Sequence, residues 1–288
     1  MVLARINFDL FIGELILIVI LALSTILHLP NPWTDSPIFT GSFRLKPIIP
    51  TILILLMTLG ARGLKQTGAP ALIGLSLVIW LIMLFGFNWL QKRLSPSRLW
   101  TFWTGSVINF FLIYSLFFFD TLGKFKLLYV AYILYILATI SSLLLAKKVH
   151  SWKVIIGGSV LGLLISLIPS HIAFLIGLAI TCFFCNLINR YVWPQYQKDS
   201  SIPELRKRFV KQNYNILGSI ASQITMIAFF IINNFLFNYH TGQIFAAYYL
   251  QRANTTLTWV LYTTRLGCIV LIVTVLAILF VKESEKKK

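Results

Sequence analysis

Carboxylates are scarce in this chain. Of 288 residues only eight are Asp or Glu, and charged residues of either sign make up 11%. A soluble domain carries about twice that share, so an ordinary cytosolic globule is excluded. Intrinsic disorder is excluded as well, because it requires low hydrophobicity with high net charge. Cysteine is nearly missing: Cys182, Cys185 and Cys268 cannot build a disulfide framework. Cys182 and Cys185 share one face of a helical run, and buried small apolar residues are the expected reading over a redox or metal half-site. No Gly-rich phosphate loop follows a strand pattern, which argues against an ATP site. No low-complexity segment is present, and no hydrophilic stretch is long enough for a soluble domain.

The few acids also lie apart. Asp9 and Glu14 open the first apolar run, Asp35 sits in a Pro-rich loop, Asp120 ends a span, Asp199 and Glu204 lie in a basic connection, and Glu283 and Glu285 belong to the tail. Divalent-metal catalysis needs clustered carboxylates or histidines, and no DxxD, DxxxD or ExxH spacing occurs. His28, His150, His171 and His240 all fall at span ends, where a structural role is expected. No catalytic residue, metal ligand or cofactor is therefore expected. A membrane-embedded transferase is the weakest reading.

What the chain has in abundance is hydrocarbon. Apolar residues reach 58% and the mean hydropathy is +0.84. A bilayer core about 30 Å thick needs roughly 20 helical residues. Runs of suitable length occur at 10–29, 47–61, 71–90, 99–119, 127–146, 154–168, 172–189, 214–237 and 254–281. The expected fold is all-α: a polytopic helix bundle of about nine transmembrane helices. The sixth and seventh runs are split at Pro169-Ser170-His171 and are the pair whose count as one span or two stays open. The first run is expected to be retained, since it begins beside Asp9 and Glu14 and lacks a small-residue cleavage site. Trp89, Trp100, Trp103, Trp152 and Trp193 lie at span ends and are expected in the interfacial belt.

The 25 Lys and Arg residues set the orientation. Eighteen fall in loops on the side of the C-terminus: Arg44 and Lys46; Lys92, Arg93 and Arg98; Lys147, Lys148 and Lys153; six between 190 and 212; and four in the tail. Five fall opposite, namely Arg5, Arg62, Lys65, Lys124 and Lys126, while Arg252 and Arg265 border or enter the last run. The positive-inside rule then places the C-terminus in the cytoplasm and the N-terminus outside. A net charge of +17 would suggest nucleic acid in a soluble protein. Dispersed through short loops it signals topology instead, and no nucleic-acid partner is expected. The domain reading is a seven-span bundle over 1–189, a basic cytoplasmic linker over 190–213 and a two-span unit with basic tail over 214–288. Within the linker, Ser201-Ile202-Pro203-Glu204 reads as a capping box. The following 205–211 reads either as a short basic helix on the anionic leaflet or as a solvated linker.

Ionisable and polar residues inside spans are the candidate sites, because an unpaired charge there is costly. Glu14, inside the first span, is a candidate for a proton or ion path. Arg252 and Arg265 flank a segment holding Asn254, Thr255, Thr256, Thr258 and Tyr262, too polar for a lipid-facing helix. They are candidates for substrate binding, with pairing to backbone carbonyls as the alternative. Gln223, Asn233 and Asn234 belong to a polar stripe with Asn215, Ser219 and Ser222. That stripe either hydrogen-bonds between helices or faces a hydrated cavity shared with Arg252.

Residues Arg208-Phe209-Val210-Lys211-Gln212 and Ile216-Leu217-Gly218-Ser219-Ile220-Ala221-Ser222-Gln223-Ile224 carry a resemblance. With Asn233-Asn234-Phe235-Leu236, Gly242-Gln243-Ile244 and Ala247-Tyr248-Tyr249-Leu250-Gln251-Arg252, this stretch resembles MviN-type lipid II flippases of the multidrug/oligosaccharidyl-lipid/polysaccharide exporter superfamily. The resemblance covers about 50 residues and corresponds to the opening of that family's second helical lobe. It implies a cationic cavity for a lipid pyrophosphate, with Arg252 at its lining arginine. The family's Arg-rich first helix has no counterpart here. The expected function is translocation or handling of an anionic lipid-linked or hydrophobic substrate, in a bacterial or organellar inner membrane. Its expected partners are membrane lipids, the lipid-linked anion and other membrane proteins. The alternative is a non-catalytic assembly factor or structural subunit of a membrane complex.

Overall fold

The computed structural model describes residues 70–146, 148–149, 151–200, 202–238 and 255–285. The runs at 10–29 and 47–61 lie outside them, as do Glu14 and Arg252. The described chain contains seven α-helices and no strand: α1 Pro70–Arg93, α2 Pro96–Thr121, α3 Phe125–Leu145, α4 Trp152–Leu167, α5 His171–Lys198, α6 Lys207–Leu236 and α7 Thr255–Glu285. Five of them, α2, α3, α5, α6 and α7, are long and apolar enough to cross a membrane. Helix α4, with 16 residues, reaches only about 24 Å.

Local chemistry explains several boundaries. Pro70 and Pro96 open α1 and α2, where a missing N–H costs no helical bond. Gly123 adopts φ 66° just after α2, a left-handed conformation that glycine enters freely. Pro169 separates α4 from α5. Successive helices run between two opposite ends of the bundle. At one end Arg98, opening α2, pairs with Asp199, just past α5, at 3.4 Å. At the other, Lys124 after α2 hydrogen-bonds His171 at the start of α5.

Helix α2 is the axis. Trp100, Trp103, Val107, Phe110, Phe111, Tyr114, Phe118 and Phe119 are all buried, packed by α3, α5, α6 and α7. Helix α3 shows the reverse of a soluble amphipathic helix. Its inward residues are mostly small (Ala131, Ala138, Ser142), while Tyr129, Ile133, Ile136, Leu137, Ile140 and Leu144 are exposed at helical spacing. An apolar face of this extent on the outside suits lipid and not water.

Small residues let the helices meet. A Cβ on Gly218 of α6 would strike the Phe102 carbonyl of α2, and one on Gly105 would strike the Asn215 carbonyl. That closeness allows side chains to bond the opposite backbone. Ser106 donates to the Gly218 carbonyl at 2.9 Å, Ser219 to the Gly105 carbonyl at 3.4 Å, and Asn109 to the Ser219 carbonyl at 2.9 Å. Helices α4 and α5 meet similarly through Gly162 and Gly177.

Two sequence expectations are revised. The linker expected over 190–213 is mostly helix: α5 continues to Lys198 and α6 begins at Lys207, leaving a short connection with one 3-10 turn, Glu204–Arg206. Residues 190–198 stay helical because Val192 and Tyr196 are buried in the core. Ser201 lies outside the described residues, and Glu204 is ion-paired with Lys207. The basic stretch is thus the first turns of a 30-residue helix, about 45 Å long and longer than a hydrocarbon core. Trp100 and Trp103, expected in the interfacial belt, are instead buried in protein. Trp103 donates its indole N–H to the Ile272 carbonyl of α7 at 3.0 Å, and Trp100 stacks edge-on with Trp152 at 4.9 Å.

Candidate functional site

Two cavities interrupt the packing around α6. The first, about 240 Å³, lies between α1, α2, α6 and α7. Its walls are hydrocarbon and aromatic: Leu84, Phe87, Phe102, Phe110, Leu271 and Ile278 among others. A few hydroxyls border it, and the two nearest the α2–α6 crossing are already engaged. Ser106 bonds α6, and Ser222 accepts from Asn109 at 3.0 Å. With Ser106, Ser222 and Thr274 already hydrogen-bonded to backbone carbonyls, this cavity suits a hydrocarbon chain.

The second cavity, about 370 Å³, lies at the end of the bundle marked by the Arg98–Asp199 pair. It is lined by Asn189 and Trp193 of α5 with Arg208, Lys211, Gln212 and Asn215 of α6. The α6 members are spaced i, i+3, i+4 and i+7, which puts them on one helical face. Thr104 of α2 fixes Asn189 by donating to its side-chain oxygen at 2.9 Å. Lys211 donates to the Asn189 backbone carbonyl at 2.8 Å and lies 5.5 Å from the Trp193 ring centre. Pro194, inside α5, has no N–H for the Arg190 carbonyl, so this turn of helix is one hydrogen bond short. The Asn215 side-chain oxygen is buried without a partner. Among the described residues neither Arg208 nor Lys211 has a carboxylate, while Asp199 and Glu204 face Arg98 and Lys207.

The residues singled out in the sequence are scattered relative to these cavities. Arg265 is buried in α7, 1% exposed. One of its terminal nitrogens donates to the carbonyls of Leu167 and Ile168 at 3.2 and 3.1 Å, and the guanidinium lies against Tyr262, Phe174 and Phe118 at 4.8, 5.5 and 5.9 Å. It therefore closes the C-terminal end of α4, where a cation complements the helix dipole. Its Nε and Nη1 atoms have no partner. Asn233 donates to Thr264 at 3.0 Å, an α6–α7 link of the interhelical kind. Asn234 is 2% exposed with both amide atoms unpaired. Gln223 is half-buried and lines neither cavity. The polar stripe is thus divided: Ser219 and Ser222 serve the α2 crossing, Asn215 the second cavity, and Asn233 the α7 contact. Cys182, Cys185 and Cys268 are buried free thiols.

The sequence reading did not assemble Asn189, Trp193, Arg208, Lys211 and Gln212 into a site. The α6 spacing was a usable signal. The α5 contribution was hidden because the helix was expected to stop at 189.

These features define, over the described residues, an all-helical bundle with five helices long and apolar enough to cross a membrane, holding a hydrocarbon-lined cavity and a cationic one. No family model, curated protein or solved structure matches the chain.

Proposed function

We propose that the chain is a multi-pass integral membrane protein that translocates an anionic lipid-linked or hydrophobic substrate. It has nine spans, an external N-terminus and a cytoplasmic C-terminus. The observation that carries this reading is the hydrocarbon-lined cavity between α1, α2, α6 and α7, inside a bundle whose outer surface is itself apolar. A soluble ligand would need more unpaired polar groups on such walls than this cavity offers. The orientation is supported by Arg98, Lys148, Lys153, Arg190, Lys198 and the 206–211 cluster, all in the segments at one end of the bundle, against Lys124 and Lys126 at the other. A bacterial or organellar inner membrane fits that charge bias.

The test is leaflet exchange. Full-length protein is reconstituted into phosphatidylcholine vesicles containing fluorescent (nitrobenzoxadiazole-labelled) phosphatidylglycerol, and dithionite is added outside. Wild type is expected to expose the inner-leaflet dye faster than empty vesicles do. Ala221→Phe, which fills the apolar cavity from α6, is expected to slow exchange by half or more. Exchange no faster than in protein-free vesicles would refute translocation.

A further inference from the structure

The geometry points to the cationic cavity between α5 and α6 as a binding site for a phosphate monoester or pyrophosphate group, presented as a lipid head group or free in solution. This deepens the lipid-translocation reading and rests on it for the source of the phosphate.

Three observations converge. First, two cations face one cavity without a carboxylate among the described residues, although both acids of the neighbouring connection are used elsewhere. Arg208 makes no hydrogen bond to any described residue. Lys211 spends one N–H on the Asn189 carbonyl, and its other two donors have no described acceptor. A phosphate supplies the acceptors that are missing, through charge-assisted bonds and the two-pronged guanidinium geometry.

Second, the remaining lining matches such a group. Asn189, Gln212 and Asn215 bring amide donors, and Trp193 offers a flat wall that also holds the Lys211 ammonium. Arg208 and Gln212 are exposed at the mouth of the cavity, and Asn189, Trp193, Lys211 and Asn215 behind them are half-buried. Asn189 is pinned by Thr104 from a third helix, and Lys211 is tied to the α5 backbone.

Third, the location fits the substrate. Helix α6 is about 45 Å long, so its first turns extend past a hydrocarbon core about 30 Å thick into the head-group layer. Arg208, Lys211 and Asn215 continue along α6 into the face that carries Ser222 and Thr225 at the apolar cavity. One helical face thus runs from a phosphate-binding end to a hydrocarbon-binding middle.

The experiment is a titration of detergent-solubilised full-length protein with phosphatidic acid and, for reference, phosphatidylcholine, read as bound lipid by native mass spectrometry. Wild type is expected to bind phosphatidic acid at least tenfold more tightly. Arg208→Gln, which breaks no structural bond, is expected to lose most of that preference, and R208Q/K211Q all of it. The control Lys198→Gln/Arg206→Gln removes two charges at the same end but outside the cavity, and should keep the preference within threefold. Equal losses in the two double variants would mean diffuse surface attraction and would overturn the site, as would a wild type without preference. Millimolar inorganic pyrophosphate forms the second arm. If it displaces phosphatidic acid, the site takes the phosphate group from either source. If it does not, while Arg208→Gln still weakens lipid binding, the source is the lipid alone. Vesicle leaflet exchange with no phosphatidic acid preference sinks this site and spares translocation. The reverse result sinks translocation and spares the site.

Discussion

Gly218 is the position where a single methyl group should do most harm. Its Cβ would sit on the Phe102 backbone carbonyl, which cannot swing aside as a side chain can, so Gly218→Ala must push α2 and α6 apart. Overpacking of this kind costs about 1–3 kcal/mol. The separation also stretches the bonds from Ser106, Ser219 and Asn109 that depend on close approach, each worth around 0.6 kcal/mol in a membrane bundle. Loss of all three would bring the sum to about 3–5 kcal/mol, or a melting shift on the order of 10 °C for a protein of this size. The molecule carries its own reporter: Cys182, Cys185 and Cys268 are buried free thiols, so a fluorogenic maleimide reacts only as the bundle opens. Gly267→Ala should cost less, because the new methyl meets the edge of the Phe229 ring, which can rotate. Gly157→Ala meets nothing within 4 Å and should be neutral or stabilising through helix propensity. A Gly218→Ala protein melting within about 2 °C of wild type would refute the backbone-contact argument.

Arg265→Ala should strip the cap from α4 and leave the Leu167 carbonyl unpaired, at about 1–3 kcal/mol, while the Ile168 carbonyl keeps the Ser170 N–H; Arg265→Lys should recover more than half of the lost thermal stability. If Arg265→Ala leaves the melting temperature unchanged but abolishes leaflet exchange, the residue binds substrate and is no cap. For topology, reporter fusions after Gly123 and after Ser200 should fall on opposite sides of the membrane, with Ser200 cytoplasmic; the same side for both would break the alternation of helices.

The sequence was most legible where one force dominates. Long apolar runs with charged ends mark α2, α3, α6 and α7 to within a few residues at most boundaries, because a bilayer demands length and hydrophobicity together. Pro169 marked the α4–α5 break for an equally local reason. Legibility failed where polarity and burial part company. Residues 190–198 look like a basic linker, yet Val192 and Tyr196 are core residues and keep α5 wound. Trp103 looks interfacial, yet its indole N–H finds a carbonyl on α7, 169 residues away. Arg265 left two readings open from sequence alone, since nothing local says that α4 ends against it. The cationic cavity needed two helices at once, and only its α6 half carries a readable spacing.

The axial position of α2 bears on how the protein is made. Phe87 of α1 packs on Phe102, but the hydrogen-bond partners of α2 on α5, α6 and α7 are synthesised later: Asn189, Ser219, Leu261 and Ile272 lie 85, 110, 147 and 169 residues downstream of the α2 groups they meet. At about 5–20 residues per second, α2 waits roughly 10–30 s in the bilayer before its last neighbour arrives. Its hydroxyls are equipped for the delay. Thr101, Ser106 and Ser115 each bond the carbonyl four residues back in their own helix, so they enter lipid already satisfied. Asn109, Trp103 and Tyr114 depend on the later helices. These three groups therefore act as a built-in incentive for α6 and α7 to close over α2 as soon as they emerge, making assembly order a property of the helix that is inserted before its hydrogen-bond partners.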